Sequence, residues 1–307
     1  MNRRVDAPAS VRLRYSVDLG YQILQDGADF IFNIQAARTE QQLLVAEGLH
    51  ISQPLATQSY EDASTHARYL RLRANAGPLH VHYEAIIDIA HHRAAPQSVP
   101  EIPIPFLPGE VLPYLYPSRY CESDRLHRFA VAQFGTLWQG YQRVAAIRDW
   151  VQAHVSFCSN TSDSTTSACD TLVTKQGVCR DFAHLMIALC RAVNIPARFA
   201  SGIDYGADPA LGPQDFHAYV EAYLGHRWYL FDPSGTAIPM GFIRLATGRD
   251  AADAAFASIF GSLESQAPVL FIEAVNGADG HCVVPVHGTD ALSTDPGPYG
   301  LQRPAGT

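Results

Sequence analysis

Seven prolines crowd the stretch from residue 94 to residue 118, at positions 96, 100, 103, 105, 108, 113 and 117. Proline fixes φ and lacks the backbone N–H, so this density excludes an α-helix or an inner strand. The reading is an extended connector over 96–118, with segments of different periodicity on either side.

Before the connector the pattern has period two. Leu70 and Leu72 alternate with Arg71 and Arg73; past Gly77-Pro78, Leu79, Val81 and Tyr83 alternate with His80, His82 and Glu84. Alternation on both sides of a Gly-Pro break predicts a half-buried antiparallel pair. Residues 11–17, 29–34 and 43–52 supply further strands, and an antiparallel β-sandwich over 1–95 is the natural closure. His91-His92 reads as a solvated strand end.

After the connector the period becomes helical. Leu126, Phe129, Ala130 and Phe134 share one face, and Tyr141, Val144, Ile147, Trp150, Val151 and Val155 fit a second helix. Residues 159–167 are nearly all Ser, Thr, Asn and Asp, a loop by composition. From Cys179 to Asn194 runs the strongest helix, with Phe182, Leu185, Met186, Leu189 and Val193 recurring at spacings of three and four before Ile195-Pro196 stops it. Strands follow over 197–203, 217–224 and 228–232. The expected fold class is α+β: the sandwich, then a core over 119–285 in which helices pack on an antiparallel sheet. A flexible tail rich in Gly, Pro, Ser and Thr is expected over 286–307.

Composition narrows the function classes. The 307 residues allow about two domains, and 47% hydrophobic with 17% charged residues is ordinary for a globular chain. The net charge is −8 and the 22 basic residues form no run, which argues against nucleic acid or an anionic membrane as partner. Met1-Asn2-Arg3-Arg4 leads into an alternating pattern, not an apolar core of a secretory signal, and no run suits a transmembrane helix. The expected compartment is the cytoplasm. Six cysteines are too sparse for a disulfide framework. Cys179 and Cys190 on one helix would stand about 16 Å apart, too far to share a zinc ion. No metal and no organic cofactor is expected, and no calcium loop of the EF-hand type is present in the sequence.

Chemistry concentrates around Cys179. A thiol at a helix start sits where unpaired N–H groups and the helix dipole favour the thiolate. Downstream, His217, Tyr219, Glu221 and Tyr223 alternate with Ala218, Val220, Ala222 and Leu224, and Gly225-His226 separates them from a second strand. A two-residue loop with Gly first predicts a type II′ hairpin. Pairing Leu224 with Arg227 puts Asp232 across from Tyr219, diagonal to His217 and on its face. A one-residue slip would destroy that pair. Cys179, His217 and Asp232 thus have the residue types of a nucleophile, a general base and the group that orients it. Whether the hairpin docks over the helix start is a tertiary matter that spacing leaves open.

The stretch Gly177-Val178-Cys179-Arg180-Asp181-Phe182-Ala183-His184-Leu185, with Cys190-Arg191 and Ile195-Pro196-Ala197-Arg198, resembles the nucleophile helix of the bacterial transglutaminase-like superfamily. His217-Ala218-Tyr219-Val220-Glu221 and Trp228 with Phe231-Asp232-Pro233 resemble its His and Asp strands. Leu115 to Cys121 and Gly248-Arg249-Asp250 look like members that carry an N-terminal β domain, including candidate cysteine proteases. The resemblance implies a papain-like core with Cys179 as nucleophile, His217 as general base and acid and Asp232 as orienter. Tyr219 departs from the family, where tryptophan is common two residues after the His. Related enzymes complete the oxyanion hole with a side chain upstream of the Cys; Trp138, Tyr141, Trp150, Asn160 and Gln176 are candidates beside the Cys179 N–H. His184 and Asp181 are expected in supporting roles, and Cys158, Cys169 and Cys190 in packing.

The expected function is a peptidase or amidase working through a thioester acyl-enzyme on a peptide or protein substrate. The alternatives are a protein-glutamine γ-glutamyltransferase and, from another class, a non-catalytic peptide-binding module.

Overall fold

The computed structural model describes residues 10–294 apart from residue 26 and residues 207–213. The N-terminal segment read above for a secretory signal and the end of the expected tail lie outside the described residues.

Seven strands come first: β1 (Val11–Ile23), β2 (Ala28–Gln35), β3 (Gln42–Ile51), β4 (Thr57–Glu61), β5 (Arg68–Ala74), β6 (Gly77–Ile89) and β7 (His92–Ala94). Then come α1 (Ser123–Phe134), α2 (Tyr141–His154), β8 (Ser156–Phe157), α3 (Ala168–Thr174), β9 (Gln176–Gly177) and α4 (Cys179–Ala192). The remaining strands are β10 (Ala197–Asp204), β11 (Phe216–Leu224), β12 (Arg227–Phe231), β13 (Phe242–Gly248), β14 (Ala257–Phe260), β15 (Leu263–Ser265), β16 (Val269–Ala274) and β17 (Ala291–Ser293).

The N-terminal half is a sandwich, but its strands are paired differently from the sequence reading. In one sheet β6 lies between β1 and β3; in the other β5 lies between β2 and β4. The expected β5–β6 hairpin does not form. Alternation reports that one face is buried, and it is silent on which strand lies alongside. Gly77, at φ +114°, begins β6, and the chain crosses from one sheet to the other just before it. Between the sheets lie Leu13, Tyr15, Val17 and Leu19 of β1, Val81, Tyr83 and Ile87 of β6, and Phe30, Phe32, Leu70 and Leu72 of the facing sheet. Full burial of one such side chain is worth roughly 1.5–3 kcal/mol. The polar, exposed β4 carries no such alternation, which is why the sequence reading passed over it.

Residues 257–274, placed in the catalytic core from sequence, return to this sandwich. β15 and β16 pair with β1, and β14 pairs with β2. These are short edge strands whose alternation is too brief to identify their partners. β17 likewise corrects the expected tail: it is buried and pairs with β7. His91, expected at a solvated end, is buried, its Nε2 has no hydrogen-bond partner among the described residues, and burial pushes its pKa down to about 4.

The proline-rich stretch is not simply extended. Short 3-10 turns occupy Pro96–Ser98, Ile104–Phe106 and Gly109–Leu115. Proline fits the first positions of such turns, where its missing N–H has no acceptor to serve. The stretch is packed against the core: Gly225 donates to Pro100 O, Tyr141 to Val99 O, and Tyr114 meets the Trp228 ring edge-on at 5.1 Å.

In the core, β12-β11-β10-β13 form a four-stranded antiparallel sheet. α4 packs on one side, buried from Asp181 to Ala192, with α1, α2 and α3 against it. α3 was missed in the sequence, although Ser167 and Asp170 form a capping box at its start. Ile203, Ile243 and Leu245 carry the other side of the sheet into the sandwich core. Gln42 fastens the junction: its side-chain amide donates to Ala37 O and Arg244 O and accepts from Arg244 N. Within the sheet, buried Glu221 is paired with Arg198 and Arg244 and accepts from Thr294 Oγ1.

Candidate active site

Cys179 is the first residue of α4. The turn before it is shaped by Asp181, whose buried carboxylate accepts from Val178 N–H at 2.8 Å. Gly177 is required there, since a Cβ would lie 2.6 Å from the Asp181 Cβ. Asp181 N and Phe182 N donate to Val178 O, and the Cys179 N–H has no acceptor among the described residues. It therefore points out of the first helical turn as a free donor. The half-buried Cys179 Sγ lies 3.9 Å from Phe216 O, at the start of the strand that carries His217.

β11 and β12 pair in the expected register, Leu224 with Arg227 through to Val220 with Phe231. The turn differs in type. Gly225 and His226 both have positive φ, +52° and +63°, which is type I′, not II′. Both primed types follow the strand twist, so the register is unaffected. Opposite His217 on the other neighbour stands Gly202, where a Cβ would meet Ile243 O at 2.1 Å and the Phe242 ring at 2.3 Å.

His217 Nε2 lies 3.5 Å from Asp232 Oδ1, which leaves Nδ1 as the ring nitrogen available to the thiol. Burial lowers the imidazole pKa, but hydrogen bonding to Asp232 and Cys179 more than reverses this and lifts it well above the usual histidine value. Burial pushes the Asp232 carboxyl up; bonding to His217, Ser234 and Ala237 outweighs it, and the pKa is lowered. Asp232 Oδ1 accepts from Ser234 N at 2.9 Å and Ser234 Oγ at 2.6 Å, and Oδ2 from Ala237 N at 3.1 Å. The residue ends a strand and faces a histidine at once.

Behind His217 stands a pair that the sequence reading did not assemble. The fully buried Tyr219 sets its ring edge-on to His217, 4.9 Å between centroids, and donates to Asp204 Oδ1. Burial raises the Asp204 pKa to about 7. Nothing in the sequence around Asp204 marks it, because its partners come from β11 and from Ile238.

Cys179 and His217 open into a cavity of about 390 Å³. None of the three near-site expectations lines it, and Tyr219 stands behind His217. Trp150 packs edge-on against Phe129 and Phe134 on the helical side, and Gln176 is exposed in the short β9. Tyr141 packs against Phe231 with the rings tilted by 33° and lines a separate cavity of about 250 Å³ behind Asp232, while Trp138 is exposed and Asn160 turns a loop at φ +62°. His184 is buried on α4 with its pKa pushed down to about 3 by burial, and its Nε2 accepts from Ala251 N. Cys190 lies in the apolar core, with Cys169 against it. Among the described residues no group of three or more His, Cys, Asp or Glu could hold a metal ion.

Residues 128–233 match the family model of the transglutaminase-like superfamily, and residues 11–110 match the bacterial transglutaminase N-terminal domain. A solved structure described as a candidate cysteine protease from Cytophaga hutchinsonii is 36% identical, covers 93% of this chain and 98% of its own, and superposes with a TM-score of 0.85. The chain belongs to the transglutaminase-like superfamily. An uncharacterized Mycobacterium leprae protein is 32% identical over 117 residues, 36% of this chain and 41% of that one, so this transglutaminase-like chain aligns with less than half of that relative. No helix among the described residues is long and apolar enough to cross a membrane.

Proposed function

We propose that this transglutaminase-like protein is a cysteine peptidase or amidase, with Cys179, His217 and Asp232 as its catalytic residues. The observation that carries the reading is the convergence of a thiol at a helix start with an imidazole whose far nitrogen faces a carboxylate, at the mouth of one cavity.

The Cys179 thiolate attacks the carbonyl carbon of an amide, and the carbonyl π electrons move to oxygen. The free Cys179 N–H donates to that oxyanion. On collapse the C–N bond breaks, the amine leaves with a proton from the His217 imidazolium, and a thioester remains on sulfur. His217, now neutral, takes a proton from water as the hydroxide adds to the thioester. The C–S bond then breaks, releasing the acid and restoring the thiolate–imidazolium pair. Asp232 orients the ring and stabilises its charged form. The half-exposed thiol leaves water as the ready acceptor.

The test is to trap the acyl group. With a peptide substrate and hydroxylamine, wild type should yield a hydroxamate and Cys179→Ala should yield none. Equal turnover by Cys179→Ala sinks the reading; incorporation of a supplied primary amine in preference to hydrolysis makes the protein a transferase.

A further inference from the structure

The cavity beside Cys179 is walled mainly by carbon. Phe199 and Phe216 come from the core sheet, Phe256 from the chain returning to the sandwich, and the stretch Ala251–Ala255 contributes four alanines. Phe216 and Phe256 stack with centroids 4.2 Å apart and planes within 10°. The alanines leave space where larger side chains would fill it. The Ala251–Phe256 part of this wall lies beyond residue 233, outside both family matches.

The wall is held from behind on every side. Asp250 accepts from Tyr120 N and Ala252 N, and the buried His184 accepts from Ala251 N while stacking on Tyr120 at 4.9 Å. Arg249 pairs with Asp253, and Phe256 O accepts from Asn33 N of β2. Apart from the Cys179–His217 pair, the two charged residues at the cavity have partners of their own. Arg180 donates to Ser162 Oγ and Asp163 O, and Asp215 accepts from Phe216 N. A charged substrate side chain entering here would lose water for little return, whereas an apolar one loses nothing. The volume lies in the range of small-molecule pockets, ample for an aromatic ring.

We propose that this cavity is a side-chain subsite that takes a large apolar residue, aromatic or branched aliphatic, flanking the scissile amide of a peptide. The N-terminal β domain takes part by anchoring Phe256. The proposal rests on Cys179 being the acylated nucleophile, and its test separates the two.

Short blocked peptides that differ only in one residue beside the amide (Phe, Leu, Gly, Glu or Lys) are bound to Cys179→Ala by titration calorimetry and turned over by wild type. The subsite requires Phe and Leu to exceed Gly, Glu and Lys at least about tenfold in affinity and in kcat/KM. Filling the cavity by Ala255→Leu, or by Ala252→Trp at an exposed position, should lower the Phe-to-Gly ratio at least about tenfold. The ratio is unaffected by a general loss of folded protein, and the second variant covers any misfolding of the first. A flat ranking, a preference for Lys or Glu, or an unchanged ratio in both variants overturns the proposal. Because binding is read on Cys179→Ala, the subsite is judged even if no hydroxamate forms; absence of hydroxamate with apolar preference intact would sink the nucleophile reading alone.

Discussion

Tyr219 donates its hydroxyl hydrogen to Asp204 across 2.6 Å, with both side chains buried. The same ring braces His217 edge-on, so a strand residue two places from the histidine ties it to a carboxyl on the neighbouring strand. Tyr219→Phe keeps the ring and removes the donor. An unmet buried acceptor costs about 1–3 kcal/mol, so thermal unfolding should report that loss while labelling of Cys179 by iodoacetamide falls only a few-fold. A complete loss of labelling with unchanged stability would show that the hydroxyl acts in the chemistry instead.

Asp204 has a pKa near 7, raised by burial from its ordinary value. Between roughly pH 4 and pH 7 the folded state holds a proton there that the unfolded state has released, so stability falls as pH rises through this window. Asp204→Asn also loses the acceptor for Ile238 N, a constant offset. Its midpoint of unfolding should therefore lose less than wild type between pH 5 and pH 8. Parallel pH profiles would contradict the assignment.

For His217 the sign is the same, in a higher pH window. Its folded pKa is raised, so the imidazolium persists above the usual range and is lost as pH climbs through the folded value. Asp232→Asn removes a charge that supports the cation and leaves the burial that opposes it. The alkaline limb of kcat/KM should move to lower pH, and the maximum should drop. An alkaline limb that stays in place would mean that Asp232 does not act through the ring.

Replacing the ring itself tests the proton carrier. His217→Ala should lower kcat by roughly 10²–10⁴, the usual contribution of a positioned acid–base group. Single-turnover measurement of amine release is the decisive readout, since in the proposed mechanism the leaving group takes its proton from the imidazolium.

Gly177→Ala addresses the turn before Cys179. The added methyl would stand 2.6 Å from the Cβ of the buried Asp181, which has little room to yield. Overpacking of this kind costs typically about 1–3 kcal/mol, and a displaced helix start should slow alkylation of Cys179 as well. Wild-type stability and labelling would refute the steric account.

How much was legible depended on whether the signal was local. The hairpin was, because the spacing from His217 to Asp232 and the Gly225-His226 turn set a register that depends on nothing outside it. The helix from Cys179 was equally local, since its apolar recurrence and its proline stop lie within one stretch. Strand partners were not: Leu70 and Val81 both alternate, yet they line opposite sheets. Three features of the site were also out of reach. Asp204, the alanine wall and the idle positions of Trp150 and Gln176 are fixed by elements distant in the chain, with no spacing rule that connects them.

The pairing of β1 with β15 and β16, and of β2 with β14, carries a consequence for how the molecule is made. During synthesis the first ninety or so residues emerge with two strand edges still waiting for partners from beyond residue 256, and open edges are templates for wrong pairing. Strands β14 to β16 close sheets whose other members all precede residue 90. Phe256, at the head of those strands, reaches its stacking partner only then. The wall beside the thiol is thus completed in the same late step that seals the sandwich, so a nascent chain would carry the Cys179 thiol before the cavity beside it was finished.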